Sequence, residues 1–150
     1  MDLAPDFDDF IGSLIANSVD FLIVGAYALA LHGAPRFTGD LDILVRPTRE
    51  NAERLLRAVS AFGFPVTDLH PDDVIDSRRM LEMGVEPVQI HVMSAISGVT
   101  WEEASRDQMT AMLGRHEVAF LGREAFLRNK RAAGRPKDLA DIDALTSGAD

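Results

Sequence analysis

Apolar positions change their spacing several times along the chain, and each change marks an element. Over residues 6–17, Phe7, Phe10, Ile11, Leu14 and Ile15 recur every three or four positions and make one buried stripe on a helix. A turn at 18–20 leads into the unbroken apolar run Phe21–Val24, read as a strand, and 26–31 reads as a short helix. His32 and Gly33 end it and Pro35 prevents its resumption, so His32 is an end-of-helix residue and not a ligand. After the strand 41–45, Thr48 is the N-cap of a helix with the buried stripe Ala52, Leu55, Leu56, Val59 and Phe62, its charged residues outward, stopped by Gly63. Strand, helix, strand, helix is an α/β unit on one side of a sheet.

Residues 64–76 are rich in Pro, Asp and His without sustained period, and predict an acidic loop holding at most a short strand. His70 with Asp72, Asp73 and Asp76 fits no metal-ligand spacing. Residues 78–83 and 88–94 read as strands joined around 84–87. Thr100 and Glu103 have capping-box spacing and start a helix over 101–107, with Trp101 as a packing anchor. Residues 109–113 and 117–121 form a hairpin about Gly114, Arg115 and His116, two strands at the sheet edge. A helix over 123–133 breaks at Gly134, and Pro136 opens another whose Leu139, Ile142 and Leu145 face the core. Lys137, Asp138 and Asp141 are then left to face a cleft or water.

Composition narrows the picture. A chain of 150 residues, 47% hydrophobic, buries one core, so residues 1–150 are expected to be a single domain ending in a helical pair at about 123–147. No apolar run approaches the roughly 18 residues of a membrane span and no secretory leader opens the sequence, which predicts a soluble, cytoplasmic protein. The absence of cysteine excludes disulfides and thiolate metal sites. A net charge of −9 argues against duplex DNA, whose binders neutralise phosphates. Yet 123–137 holds Arg123, Arg128, Lys130, Arg131, Arg135 and Lys137 against Glu124. Such a run suits a triphosphate or a short RNA, or else is a solvated helix face.

The candidate chemistry lies in FLIVGAYALALHGAPRFTGDLDILVR, residues 21–46. Alternation on a strand puts Asp40 and Asp42 on one face, about 6.5 to 7 Å apart at Cα, close enough to share a divalent cation. Solvated carboxylates at a strand edge are the bland alternative. Gly25 ends the first strand where the next helix can turn backbone N–H groups toward an anion, and Arg36 and Thr38 bring a cation and a hydroxyl to the same place.

This order of strand, Gly, small residue, helix, His-Gly and Pro-Arg-x-Thr-x-Asp-x-Asp resembles the core of the nucleotidyltransferase superfamily that contains DNA polymerase beta. It is especially similar to the branch found among toxins of type IV toxin–antitoxin systems and their uncharacterised relatives. A second block, FLRNKRAAGRPKDLADIDAL at 126–145, resembles the Lys-Arg-x-x-Gly-Arg-x-x-Asp segment that closes that branch. The resemblance implies an α+β fold, a polymerase-beta-like mixed β-sheet with helices packed on it. It implies metal-assisted transfer of a nucleoside monophosphate from an NTP to an acceptor hydroxyl on RNA, protein or a small molecule. Asp40 and Asp42 would hold Mg2+ or Mn2+; the backbone of Gly25 and Ala26 would meet the phosphates, with Arg36 and Lys130 offsetting their charge. Lys130, Lys137 and Asp138 would lie nearest the nucleotide, and a cognate antitoxin would be a partner.

Two residues depart from that pattern. Where the family has a third carboxylate, the strand VQIHVMS has His91, on one face with Gln89 and Met93. A neutral imidazole there either ligates the metal or acts as general base near pH 7, favouring Mn2+ over Mg2+, or else marks a weakened site. Ala26 stands where the family has Gly or Ser, so one side-chain donor to the triphosphate is lost. A rival expectation follows: a catalytically silent relative that acts by binding nucleotide or a protein partner.

Overall fold

The computed structural model describes residues 3–85 and 87–147. Thirteen elements follow in the order α1 Pro5–Ala16, β1 Phe21–Val24, α2 Gly25–Leu31, β2 Asp40–Val45, α3 Arg49–Phe62, α4 Pro71–Ile75, β3 Met80–Val85, β4 Val88–Met93, α5 Trp101–Arg106, β5 Met109–Leu113, β6 His116–Phe120, α6 Arg123–Ala133 and α7 Pro136–Ser147. The strands make one mixed sheet ordered β3-β4-β2-β1-β6-β5. β2 pairs parallel to β4 and β1 parallel to β6, while β1–β2, β3–β4 and β5–β6 are antiparallel. No described helix is long and apolar enough to cross a membrane.

The predicted stripes carry the packing. Phe7, Phe10, Ile11 and Leu14 of α1 are buried, and Phe10 meets Phe62 of α3 edge-on at 5.2 Å between ring centroids. Each such side chain taken out of water contributes about 1.5–3 kcal/mol. Thr48 caps α3 by accepting from the Asn51 N–H, and Thr100 and Glu103 close the capping box on α5. Asn51, absent from the apolar reading, is fully buried: its Oδ1 accepts from the Asp20 N–H at 2.8 Å and its Nδ2 donates to the carbonyls of Asp20 and Arg46. It ties the start of α3 to the end of the β1–β2 pair where β1 begins and β2 finishes, a role no hydrophobic period can show.

Several expectations are corrected. The 64–76 segment holds α4, a five-residue helix capped by His70, whose Nδ1 accepts from the Asp72 N–H. His70, whose spacing fitted no metal site, is thus a cap, and Asp73 pairs with Arg79 and Asp76 with Arg78. Only β5 of the hairpin is an edge; β6 lies inside it, paired parallel with β1. Ile15 and Leu139 are exposed, so the stripes of α1 and α7 are narrower than their apolar content. In the connection expected at 84–87, Glu86 lies outside the described residues.

The largest correction concerns α7, which buries Asp138 and Asp141 together with Leu145. The two carboxylates are drawn inward by cations of α6 and of the segment before β2, described next.

Candidate active site

Asp40 and Asp42 stand together on one face of β2, with Leu41 and Ile43 fully buried on the other, as alternation requires. Asp42 lies between Val24 of β1 and His91 of β4 in the sheet register, and Asp40 lies beside Gln89. Parallel pairing of β2 with β4 therefore sets the imidazole against the second carboxylate. His91 Nδ1 is 2.9 Å from Asp42 Oδ1, where it donates to the ionised acid, and Nε2 is 3.3 Å from Gln89 Oε1.

Gly25 makes this arrangement possible. Its φ of +67° suits glycine, and a Cβ there would fall 2.1 Å from Asp42 Oδ2. The Thr38 hydroxyl turns onto the backbone of Asp40, accepting from its N–H at 3.0 Å, and so holds the entry to β2 instead of facing the cleft. Burial pushes the Asp42 carboxyl above its ordinary value, with the Asp40 charge adding to that, while the hydrogen bond and charge of His91 and the charge of Lys137 oppose it. Asp40 Oδ1 is buried with no hydrogen-bond partner.

An unpartnered buried carboxylate oxygen beside a second, desolvated carboxylate is a costly arrangement that a divalent cation would relieve. The aspartate pair fits such an ion. The imidazole, as placed, is a partner of Asp42; among the described residues no three His, Asp or Glu side chains gather in metal-holding geometry.

The aspartates and His91 line a cleft of about 650 Å³, whose lining also includes Arg36, Lys130, Arg135 and Lys137. Three of these cations, Arg36, Lys130 and Arg135, are held by the two buried acids of α7. Asp141 Oδ2 takes Lys130 Nζ at 3.2 Å and Arg36 Nη2 at 3.5 Å, so one carboxylate joins α6 to the segment before β2. Asp138 takes Lys130 at 3.3 Å and Arg135 Nε at 2.7 Å, and these bonds, Arg135's first, hold its pKa down to about 2. Lys130 also sits 5.2 Å above the Phe126 ring.

Of the residues singled out from sequence, Gly25, Ala26, Arg36, Asp40, Asp42, His91, Lys130 and Lys137 line one cleft. Asp138 lies behind it, under Lys130 and Arg135. Arg135, read only as part of the basic run, and Asp141, read as facing a cleft or water, were not among the residues singled out for the site. The three-residue spacing of Asp138 and Asp141 was the available signal, since it puts both on one helix face.

No protein-family model matches the chain, and no curated protein sequence matches it. Solved structures do. A Thermotoga maritima protein provisionally assigned as a nucleotidyltransferase superposes with a TM-score of 0.59 at 14% identity, over 95% of this chain and 91% of that one. The lincosamide antibiotic adenylyltransferase LnuA, in a lincomycin-bound structure, gives 0.62 at 11% identity over 97% of each chain. The antibiotic-resistance factor ANT(2'')-Ia gives 0.61 at 12% identity, over 97% of this chain and 83% of that one. The expected minimal nucleotidyltransferase fold, a mixed sheet with helices packed on it, is the fold of this chain.

Proposed function

We propose that the protein is a metal-dependent nucleotidyltransferase that moves a nucleoside monophosphate from an NTP to an acceptor hydroxyl. The observation that carries this reading is the pairing of Asp40 and Asp42, one with an orphaned oxygen and the other desolvated, opposite four cations in a single cleft. A divalent ion, Mg2+ or Mn2+, held by these two acids would supply charge stabilisation at the reacting phosphate. Arg36, Lys130, Arg135 and Lys137 bind and orient the triphosphate. Backbone N–H groups of Gly25 and Ala26 replace the side-chain donor that Ala26 lacks.

His91 acts as the base. The carboxylate of Asp42 fixes the tautomer with the proton on Nδ1, leaving Nε2 to take the acceptor proton once the Gln89 amide swings aside. The superposition on LnuA and ANT(2'')-Ia, named for action on antibiotics, supports nucleotidyl transfer as the general chemistry. Work as one half of a toxin–antitoxin pair is a finer reading that rests on sequence resemblance.

Incubation with labelled NTP, Mg2+ or Mn2+ and candidate acceptors tests the proposal: label should move with the wild type and not with Asp42→Asn. Transfer that survives this substitution would remove the mechanism. The His91–Asp42 hydrogen bond also favours a second reading, a silent nucleotide binder whose metal position is occupied by the imidazole. Calorimetric nucleotide binding without any transfer would decide for it.

A further inference from the structure

The cleft has two chemically different halves. Its cations come from the segment before β2 and from the α6–α7 corner, whereas β3, β4 and the residues after β4 contribute Met80, Met93 and Ile96. Met80 and Met93 are direct antiparallel partners, so their side chains stand together on the face that carries His91. Met80 is 46% exposed although large and apolar. Thioether side chains adapt to irregular apolar ligands, and Ser77 and Ser97 add hydroxyls to the same lining. Phosphates belong with the cations, which leaves the methionine half, beside the imidazole, for the other reactant.

The flank next to that half is acidic. Between positions 68 and 82 lie five acids against two arginines; those arginines are tied to Asp76 and Asp73, and Arg49 of α3 pairs with Asp72, so the flank keeps a net negative charge. A polynucleotide laid along this flank would meet like charge where nucleic-acid binders supply cations. The volume of about 650 Å³ lies in the range of small-molecule sites.

We propose that the acceptor is a small neutral or cationic molecule with a hydroxyl and an apolar face, seated on Met80, Met93 and Ile96, with the two methionines setting its specificity. This rests on the transfer reading above. The acceptor oxygen forms a bond to the α-phosphorus, the bond from that phosphorus to the bridging oxygen breaks, and pyrophosphate leaves with the electron pair. The hydroxyl proton passes to His91 Nε2.

Calorimetry on the full chain, loaded with Mn2+ and a non-hydrolysable ATP analogue, tests the assignment with two probes. One is phenyl glucosaminide, a hydroxylated amine with an aromatic face; the other is a short single-stranded RNA. The glucosaminide should bind and the RNA should not, and Met80→Lys should weaken the glucosaminide about tenfold with nucleotide affinity held within about twofold. Lysine is tolerated on an exposed edge strand, and Met93→Lys provides a second variant. Failure of the glucosaminide to bind, binding of the RNA, or indifference of the glucosaminide to both variants overturns the acceptor class and leaves nucleotide transfer standing. Absence of nucleotide binding by the wild type overturns both.

Discussion

Replacing Asp42 by Asn should make the metal-free protein more stable while removing the proposed transfer activity. The substitution is nearly isosteric and deletes one of two negative charges placed two residues apart on a strand, about 6.5 Å by strand geometry. Relief of the desolvation that burial imposes on the Asp42 charge is the largest gain, and the end of its repulsion with Asp40 adds a smaller one, together about 2.5 kcal/mol. Against this, the charge-assisted bond from His91 Nδ1 becomes a neutral one to the Asn oxygen, a loss of about 1 kcal/mol, and the attraction of exposed Lys137 adds a small further loss. The net gain is about 1 kcal/mol, or about 2–4 °C in Tm for a chain of this size. Because the folded Asp42 pKa lies above its ordinary 3.8, the wild-type penalty grows as pH rises from 3.8 through the folded value and is constant above it. Thermal unfolding in chelator at neutral pH and again in acid reads this directly. The variant should be the more stable at neutral pH, and the difference should shrink in acid. Added Mn2+ should raise the wild-type Tm and leave that of the variant almost unmoved. A variant less stable than wild type in chelator, or one that gains as much from Mn2+, would refute the claim that the paired acids are strained without a cation.

Gly25→Ala places a Cβ where Asp42 Oδ2 now sits and imposes a positive φ on a side-chain-bearing residue. The backbone term alone is about 1–2 kcal/mol, so Tm should fall and Mn2+ affinity should weaken at least as much as stability; unchanged metal affinity would contradict the proposed fit. Asp138 has its folded pKa near 2 against 3.8, so the stability it contributes is complete above 3.8 and lost as pH falls toward 2. The Tm gap between wild type and Asp138→Asn should accordingly be full at neutral pH and close across that acid window, as melts over a pH series would show.

Much of the site was legible because it is local. The carboxylate pair shares a face by the period of the strand, Gly25 and Arg36 flank it in the same stretch, and the basic block is contiguous from Arg123 to Lys137. The apolar stripe of α1, apart from exposed Ile15, the stripe of α3 and the caps Thr48 and Thr100 follow equally from short-range spacing. Asn51, Asp141 and the cap made by His70 were hidden because each depends on what another segment presents. Asn51 answers backbone groups at residues 20 and 46, and Asp141 answers Lys130 and Arg36.

The sequence by itself therefore determined which residues could do chemistry and which face of most elements would be apolar, since both depend on periods of two and 3.6 residues. Only the tertiary structure decided how α7 would turn and what His91 would touch. α7 has apolar residues on more than one side, and the cations of α6 selected the face with Asp138 and Asp141 over the one with Leu139. His91 meets Asp42 because β4 pairs parallel to β2 in that register, and a slip of one residue would have turned its side chain to the opposite face of the sheet.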